Sequence, residues 1–230
     1  MDKEGKHVTF SLEYETIWSM GGMTGIDDFD TIAQLDRLCD GIGVDTMDTG
    51  VAMDSGYKNF GGGQAAIEMV EEIGMGTPFG KILGNGAAAV GKHFNHKRVP
   101  VVKGQAIAAY DPRAMQGNAV TSATSPMGAD HTAGNVVGEY MAGTLDPLKP
   151  EGQMEASRKS QIAMASVDCT GLCLLASFAL TTPEGGGAFL KAMNAKFGLQ
   201  MGPEDISGYG DQGSEGRIGF QPKGGVYIRR

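Results

Sequence analysis

Apolar residues in this chain recur at helical spacing far more often than at strand spacing, and helix-capping residues bracket the recurrences. Asp27 to Gly41 reads as a helix: Asp27 or Asp28 can cap it, and Phe29, Ile32, Ala33, Leu35 and Leu38 lie near helical spacing. Gly63 to Gly74 reads as a second helix through Ala66, Ile67, Val70 and Ile73. Pro78 to Gly91 offers a shorter third around Phe79 to Leu83. Val99 to Pro126 is rich in Gly, Pro, Ser and Thr and reads as loops, and Met127 to Met141 is weakly helical. Met154 to Ala179 is the longest periodic segment, expected to be a buried helix pair or a helix broken at Gly171. Ala188 to Phe197 is a helix that Gly198 ends. Only Val99 to Val102 and Val226 to Ile228 suggest strands, so the expected class is mainly α.

The bulk properties narrow the partners. A net charge of −8 repels phosphate backbones and argues against nucleic acid. No run approaches the roughly 18 apolar residues of a membrane span, and Met1 to His7 has no apolar signal core. Three cysteines, Cys39, Cys169 and Cys173, are too few for a disulfide scaffold, which together with these features favours the cytoplasm. With 37 glycines, many tight turns are expected. Gly84 to Gly91 loosely resembles a dinucleotide-binding loop, but it lacks a preceding strand and the full G-x-G-x-x-G spacing. It reads as a turn and close helix packing.

One pattern occurs twice. Asp40-Gly41-Ile42-Gly43-Val44-Asp45 and Asp168-Cys169-Thr170-Gly171-Leu172-Cys173 both run D-x-x-G, then Val or Leu, then Asp or Cys. Each offers a carboxylate, a glycine that lets backbone turn tightly or approach a ligand, and an apolar prop. A carboxylate followed by free N–H groups suits a planar heterocycle bearing donors and acceptors, such as a pterin. For a single copy, a glycine-capped helix end explains the residues as well.

The repeat, with Glu13-Tyr14-Glu15-Thr16-Ile17-Trp18, Gly25-Ile26-Asp27-Asp28, Ala109-Tyr110-Asp111-Pro112-Arg113 and Ala123 to His131, resembles the tungsten-pterin aldehyde:ferredoxin oxidoreductase family over roughly Leu12 to Ile206. The resemblance implies two helical domains like domains 2 and 3 of that family, residues 1–145 and 146–207, with Asp146 to Glu151 as linker. Residues 208–230 are an atypical tail. It implies a tungsten-bis-pterin, held on one side by Asp40 and Val44 and on the other by Asp168 and Leu172; Val44 departs mildly from the family's leucine. Cys173 would be one of four thiolate ligands of a 4Fe–4S cluster, and Cys39 is read as core. Glu15 and His131 would activate water or shuttle a proton, and Tyr14 would hydrogen-bond the substrate oxygen. Tyr110 to Arg113 is read as a brace for the pterin site, Arg113 suiting phosphate and carbonyl oxygens. The implied reaction oxidises an aldehyde with water to a carboxylic acid and passes electrons to ferredoxin.

Several family parts are expected to be missing. Thirteen residues precede Tyr14 and none is Cys, whereas the family's other three cluster cysteines lie shortly before that motif. The chain is therefore expected to be a fragment without the N-terminal domain. It would be inert alone, or a subunit beside a chain that supplies the rest, with apolar surface left exposed. From Gly208 to Arg230 there are seven glycines and no Ala, Leu or Met. Such a shift suits a disordered tail. Suitable codons read one base out of frame also give a family-like ending, so residues after about Ser207 are expected to be a frameshifted tail.

Overall fold

The computed structural model describes residues 4–10, 12–54, 60–168, 170–202, 218–221 and 225–228. The chain is mainly α, with eleven α-helices and two small two-stranded sheets among the described residues. They pack as two units. One holds Met1–Asp111 with Ser122–His131, and the other holds Pro112–Thr121 with Thr132–Arg230.

In the first unit α1, Tyr14–Ile17, runs straight into a π-helical turn, Trp18–Gly22. Helix α2 spans Phe29–Ile42. Asp28 starts it by accepting from the backbone N–H of Thr31 at 3.0 Å and from its hydroxyl at 2.7 Å. Gly43, with φ of 84°, ends it in the left-handed region that glycine enters most cheaply. Helix α3, Thr46–Met53, follows at once, with Asp45 accepting from Asp48 N–H at 2.7 Å. Helix α4 spans Gly63–Met75 and α5 spans Pro78–Leu83, the latter capped by the Thr77 hydroxyl and opened by a proline. Helix α6, Ala87–His93, takes its N-terminal cap from a distant residue: Asp48 Oδ1 accepts from Ala87 N–H at 3.3 Å. Burial of Asp48 pushes its carboxyl above the ordinary value. Gly84 to Gly91 is thus the α5–α6 turn and the start of α6, as its residues suggest.

Met20, Leu35, Met69, Val70, Leu83 and Val90 fill the centre of this unit. Cys39 is part of that core, and burial first, then the nearby Asp36, Asp45 and Asp40 charges, push its thiol up to about 12. Strands β1, Val101–Val102, and β2, Gln105–Ala106, pair antiparallel around Lys103 and Gly104, both at positive φ. A two-residue hairpin turn of this kind needs that conformation at both positions.

The second unit is built differently. It takes α7, Gln116–Thr124, as far as Thr121, and contains α8, Val137–Met141, α9, Gln153–Asp168, α10, Leu174–Ser177, and α11, Pro183–Phe197. Helix α11 ends at Gly198, as expected. Hydrogen bonds fill much of its interior. Thr121 and Ser157 hydroxyls meet at 2.7 Å, and Asn118 Oδ1 accepts from Val136 N–H at 3.0 Å. The Tyr140 hydroxyl accepts from Gly117 N–H at 2.8 Å and donates to Gln153 Oε1 at 2.7 Å. Asp146 to Glu151 lies inside this unit as a turn, with Gln153 Nε2 donating to the Asp146 and Lys149 carbonyls.

Two expectations change. The 99–126 stretch is not all loop: it holds the β1–β2 hairpin and α7, whose Gln-Gly-Asn-Ala-Val-Thr-Ser-Ala-Thr text carries little helical periodicity. The expected buried helix pair is α9 broken from α10 near Gly171, but its sides are largely solvent-facing, with Met154, Leu175 and Phe178 exposed. Those side chains, with Met141, Leu148 and Phe197, are the exposed apolar surface anticipated from the sequence. In the tail, β3, Ile218–Gln221, pairs antiparallel with β4, Gly225–Ile228, in line with the strand expected at 226–228. The other residues after about Ser207, on which the frameshift expectation also rests, lie outside the described residues. No helix among the described residues is long and apolar enough to cross a membrane.

Candidate active site

Three segments of the first unit converge on Glu15. The residue itself sits in the first turn of α1. The β1–β2 hairpin leads four residues past its second strand to Tyr110. The third segment, 125–130, is fastened to the hairpin: Lys103 Nζ donates to the Ser125 carbonyl at 2.5 Å, and Ala129 N–H donates to the Val102 carbonyl at 3.3 Å. Gly128 takes φ of 81° there, and a Cβ would run into the Val102 carbonyl. This fastening delivers His131.

His131 Nε2 lies 3.0 Å from Glu15 Oε1, with side-chain exposures of 13% and 20%. The Tyr110 hydroxyl points at the same oxygen from 3.4 Å, longer than an ordinary O–H···O bond. The Tyr110 ring stacks on the imidazole, with centroids 4.9 Å apart and planes 28° apart. Tyr14, more than half exposed, lies tilted beside Tyr110 at 6.2 Å. His131 Nδ1 is buried and has no hydrogen-bond partner among the described residues. Leaving such an atom unsatisfied costs about 1–3 kcal/mol, which marks the site as built for something beyond these side chains. A partly buried carboxylate paired with an imidazole, beside two phenols, can accept, hold and return a proton.

The first copy of the repeat is tied to this pair. Thr16, next to Glu15, hydrogen-bonds through its hydroxyl to that of Thr46 at 2.9 Å. Thr46 opens α3 directly after the motif. Asp40 is exposed, and Val44 packs partly against the core. The N–H groups of Gly43 and Val44 both donate to the Cys39 carbonyl, at 2.8 and 3.1 Å. They are therefore not free donors, contrary to the expectation from the sequence, because the left-handed helix end uses them itself.

The second copy, in the second unit, shares the left-handed glycine but not the hydrogen-bond pattern. Asp168 ends α9, Gly171 takes φ of 73°, and Cys173 precedes α10 as Asp45 precedes α3. Here too the backbone uses its donors: Gly171 N–H reaches the Asp168 carbonyl at 3.1 Å, and Leu172 N–H reaches the Thr170 hydroxyl at 3.1 Å. Asp168 and Cys173 are exposed, and Leu172 is half-buried. Cys169 lies outside the described residues. Arg113 is exposed in the second unit. No group of three or more His, Cys, Asp or Glu side chains is arranged to hold a metal ion among the described residues.

The structure therefore brings together Glu15, His131 and, through Tyr110, Tyr14. Sequence reasoning singled out Tyr110 only as part of a pterin brace; its place against His131 depends on the hairpin and left no local signal. The Thr16–Thr46 link was likewise invisible.

A mainly helical chain with a carboxylate–imidazole pair and a duplicated D-x-x-G helix end is the class these observations define. A family model described as aldehyde ferredoxin oxidoreductase, domains 2 and 3, matches residues 1–213. The tungsten-containing aldehyde ferredoxin oxidoreductase of Pyrococcus furiosus is 25% identical over 223 residues, covering 87% of this chain and 36% of the relative. The protein of the same name from Thermococcus kodakarensis is 26% identical over 228 residues, covering 89% and 37%. The chain belongs to the aldehyde ferredoxin oxidoreductase family, an oxidoreductase family, and corresponds to its domains 2 and 3. It spans little more than a third of the length of these relatives.

Proposed function

We propose that this chain contributes the helical domains of a tungsten-dependent enzyme that oxidises aldehydes to carboxylic acids and passes the electrons to ferredoxin. The observation that carries the reading is the Glu15–His131 pair, 3.0 Å apart and screened from water, in a chain of this family. Glu15 and His131 take up and return the proton released as water adds to the aldehyde carbon. The exposed Tyr14 hydroxyl donates to the substrate oxygen.

Asp40 and Asp168 would each hold a pterin by accepting from ring N–H groups, with Val44 and Leu172 as apolar props and Arg113 as a brace. The residues fit such a group. Both carboxylates face outward, and a Cβ built on Gly41, Gly43 or Gly171 meets nothing within 4 Å, so a flat ring can approach the backbone. The tungsten-bis-pterin, when bound, supplies the two-electron acceptor. A 4Fe–4S cluster does not fit this chain by itself. It needs four thiolates, the sequence holds three cysteines, and Cys39 is sealed in the core. Cys173 would supply one ligand, and the others would come from outside residues 1–230, in the same polypeptide or another. A cytoplasmic location belongs to the same reading.

A second reading is favoured by the exposed apolar side chains of α10 and α11: a product inert without a partner that covers them. Elemental analysis after anaerobic expression with tungstate, molybdate and iron separates the two. Near-stoichiometric tungsten or molybdenum supports cofactor binding by these helices. None of the three metals supports the incomplete chain.

A further inference from the structure

The two ring nitrogens of His131 stand in opposite situations. Nε2 faces Glu15 Oε1 at 3.0 Å, and an ionised carboxylate only accepts, so Nε2 carries the proton of that bond. Nδ1 is buried and has no partner among the described residues. Tyr110 bears on both facts. Its ring lies over the imidazole at 4.9 Å and 28°, and a ring flip would have to swing the imidazole edge through the tyrosine face. Its hydroxyl is aimed at the same Glu15 oxygen that receives Nε2–H. A histidine in solution exchanges its proton between both nitrogens; this one is held by a carboxylate at one edge and an aromatic ring over one face.

We propose that Tyr110 is a positioning residue which, with Glu15, locks His131 as the Nε2–H tautomer, with Nδ1 unprotonated and buried. The tautomer stands on this geometry and needs no transfer step. Tyr110 acts by keeping the ring turned and its tautomer single.

Nitrogen NMR on the full chain labelled with 15N-histidine tests this. His131 is identified among the four histidines by its loss in His131→Gln. The expected wild-type result is a wide split, with a protonated-type Nε2 and an unprotonated-type Nδ1. The exposed His93 should instead give the averaged pattern of a free imidazole. Tyr110→Phe keeps the stack and should keep the split; Tyr110→Leu removes it and should collapse the split toward the His93 pattern. A wild-type Nδ1–H tautomer, or an undiminished split in Tyr110→Leu, overturns the proposal. Should Tyr110→Leu lose its helical circular dichroism, the wild-type chain still decides. Its Nε2–H should exchange slowly and show Overhauser contacts to the Tyr110 ring, and rapid exchange without those contacts overturns the proposal. No metal or aldehyde enters the readout, so failure of aldehyde oxidation and failure of this inference are told apart.

Discussion

Replacing Gly50 by alanine should destabilise the first unit although alanine is the better helix former. Gly50 lies in α3, against the π-helical turn. An added Cβ would sit 2.5 Å from the Ser19 carbonyl oxygen and 2.7 Å from both its carbonyl carbon and its Cβ. Real Cβ atoms essentially never approach below 3.0 Å, so α3 or the turn must move by at least about 0.5 Å. There is no slack, since Ser19 and Met20 are fully buried and Thr49 and Val51 nearly so. Overpacking of this kind costs about 1–3 kcal/mol, against a helix-propensity gain of up to about 1 kcal/mol. The net expectation is a loss of about 1–2 kcal/mol, read as a fall of roughly 0.5–1 M in the urea midpoint by far-ultraviolet circular dichroism. Gly41, helical in α2 with nothing within 4 Å of its added Cβ, is the control, and Gly41→Ala should match or exceed wild type. A Gly50→Ala chain as stable as wild type would refute the close packing of α3 on Ser19. Because Ser19 lies one turn beyond Glu15, the same displacement would carry into the Glu15–His131 pair.

Cys39 should resist alkylation in the folded chain while exposed Cys173 reacts, as peptide mass spectrometry would show. Its folded thiol is raised from 9.0 to about 12, so the folded state holds that proton more tightly. The associated stability is complete below about pH 9 and lost as pH rises toward 12, measurable as a falling urea midpoint over that window. A flat profile there would count against a buried Cys39. In the second unit, Thr121→Val should cost about 1–2 kcal/mol by stripping the buried Ser157 hydroxyl of its 2.7 Å partner. Adding Ser157→Ala should cost less than the sum of the two single changes, and strict additivity in the double-mutant cycle would show that the hydroxyls are uncoupled. Asp28→Ala, which removes both acceptor bonds to Thr31, should lower stability by about 1 kcal/mol. An unchanged urea midpoint would mean that α2 is not held by this cap.

The helices readable in the text are those whose caps and periodicity agree. Asp28 and Gly43 bracket α2, Thr77 and Pro78 start α5, and Gly198 ends α11. Those missed lack such agreement. Helix α3 is eight residues with Gly50 inside and a cap, Asp45, that doubles as the end of the repeated motif. Helix α7 is written in loop-like residues and held by bonds its sequence does not advertise, such as that from Thr121 to Ser157. The length of α9 was legible, but its exposure was not, because apolar residues specify a face without saying whether anything covers it. At the site, Glu15 and His131 were named from their motifs. Tyr110 needed the hairpin, and the N–H groups of both repeats bond within the chain, to a helix end in the first and to the turn after α9 in the second.

The most direct test of the proposed function is the rate of aldehyde-dependent viologen dye reduction by tungsten-loaded enzyme containing this chain, wild type against Glu15→Gln. The amide keeps the shape and an acceptor for His131 but cannot take a proton. A loss of about 10²-fold or more, with tungsten content unchanged, is the predicted result. An equal rate at equal tungsten would contradict the role assigned to the Glu15–His131 pair.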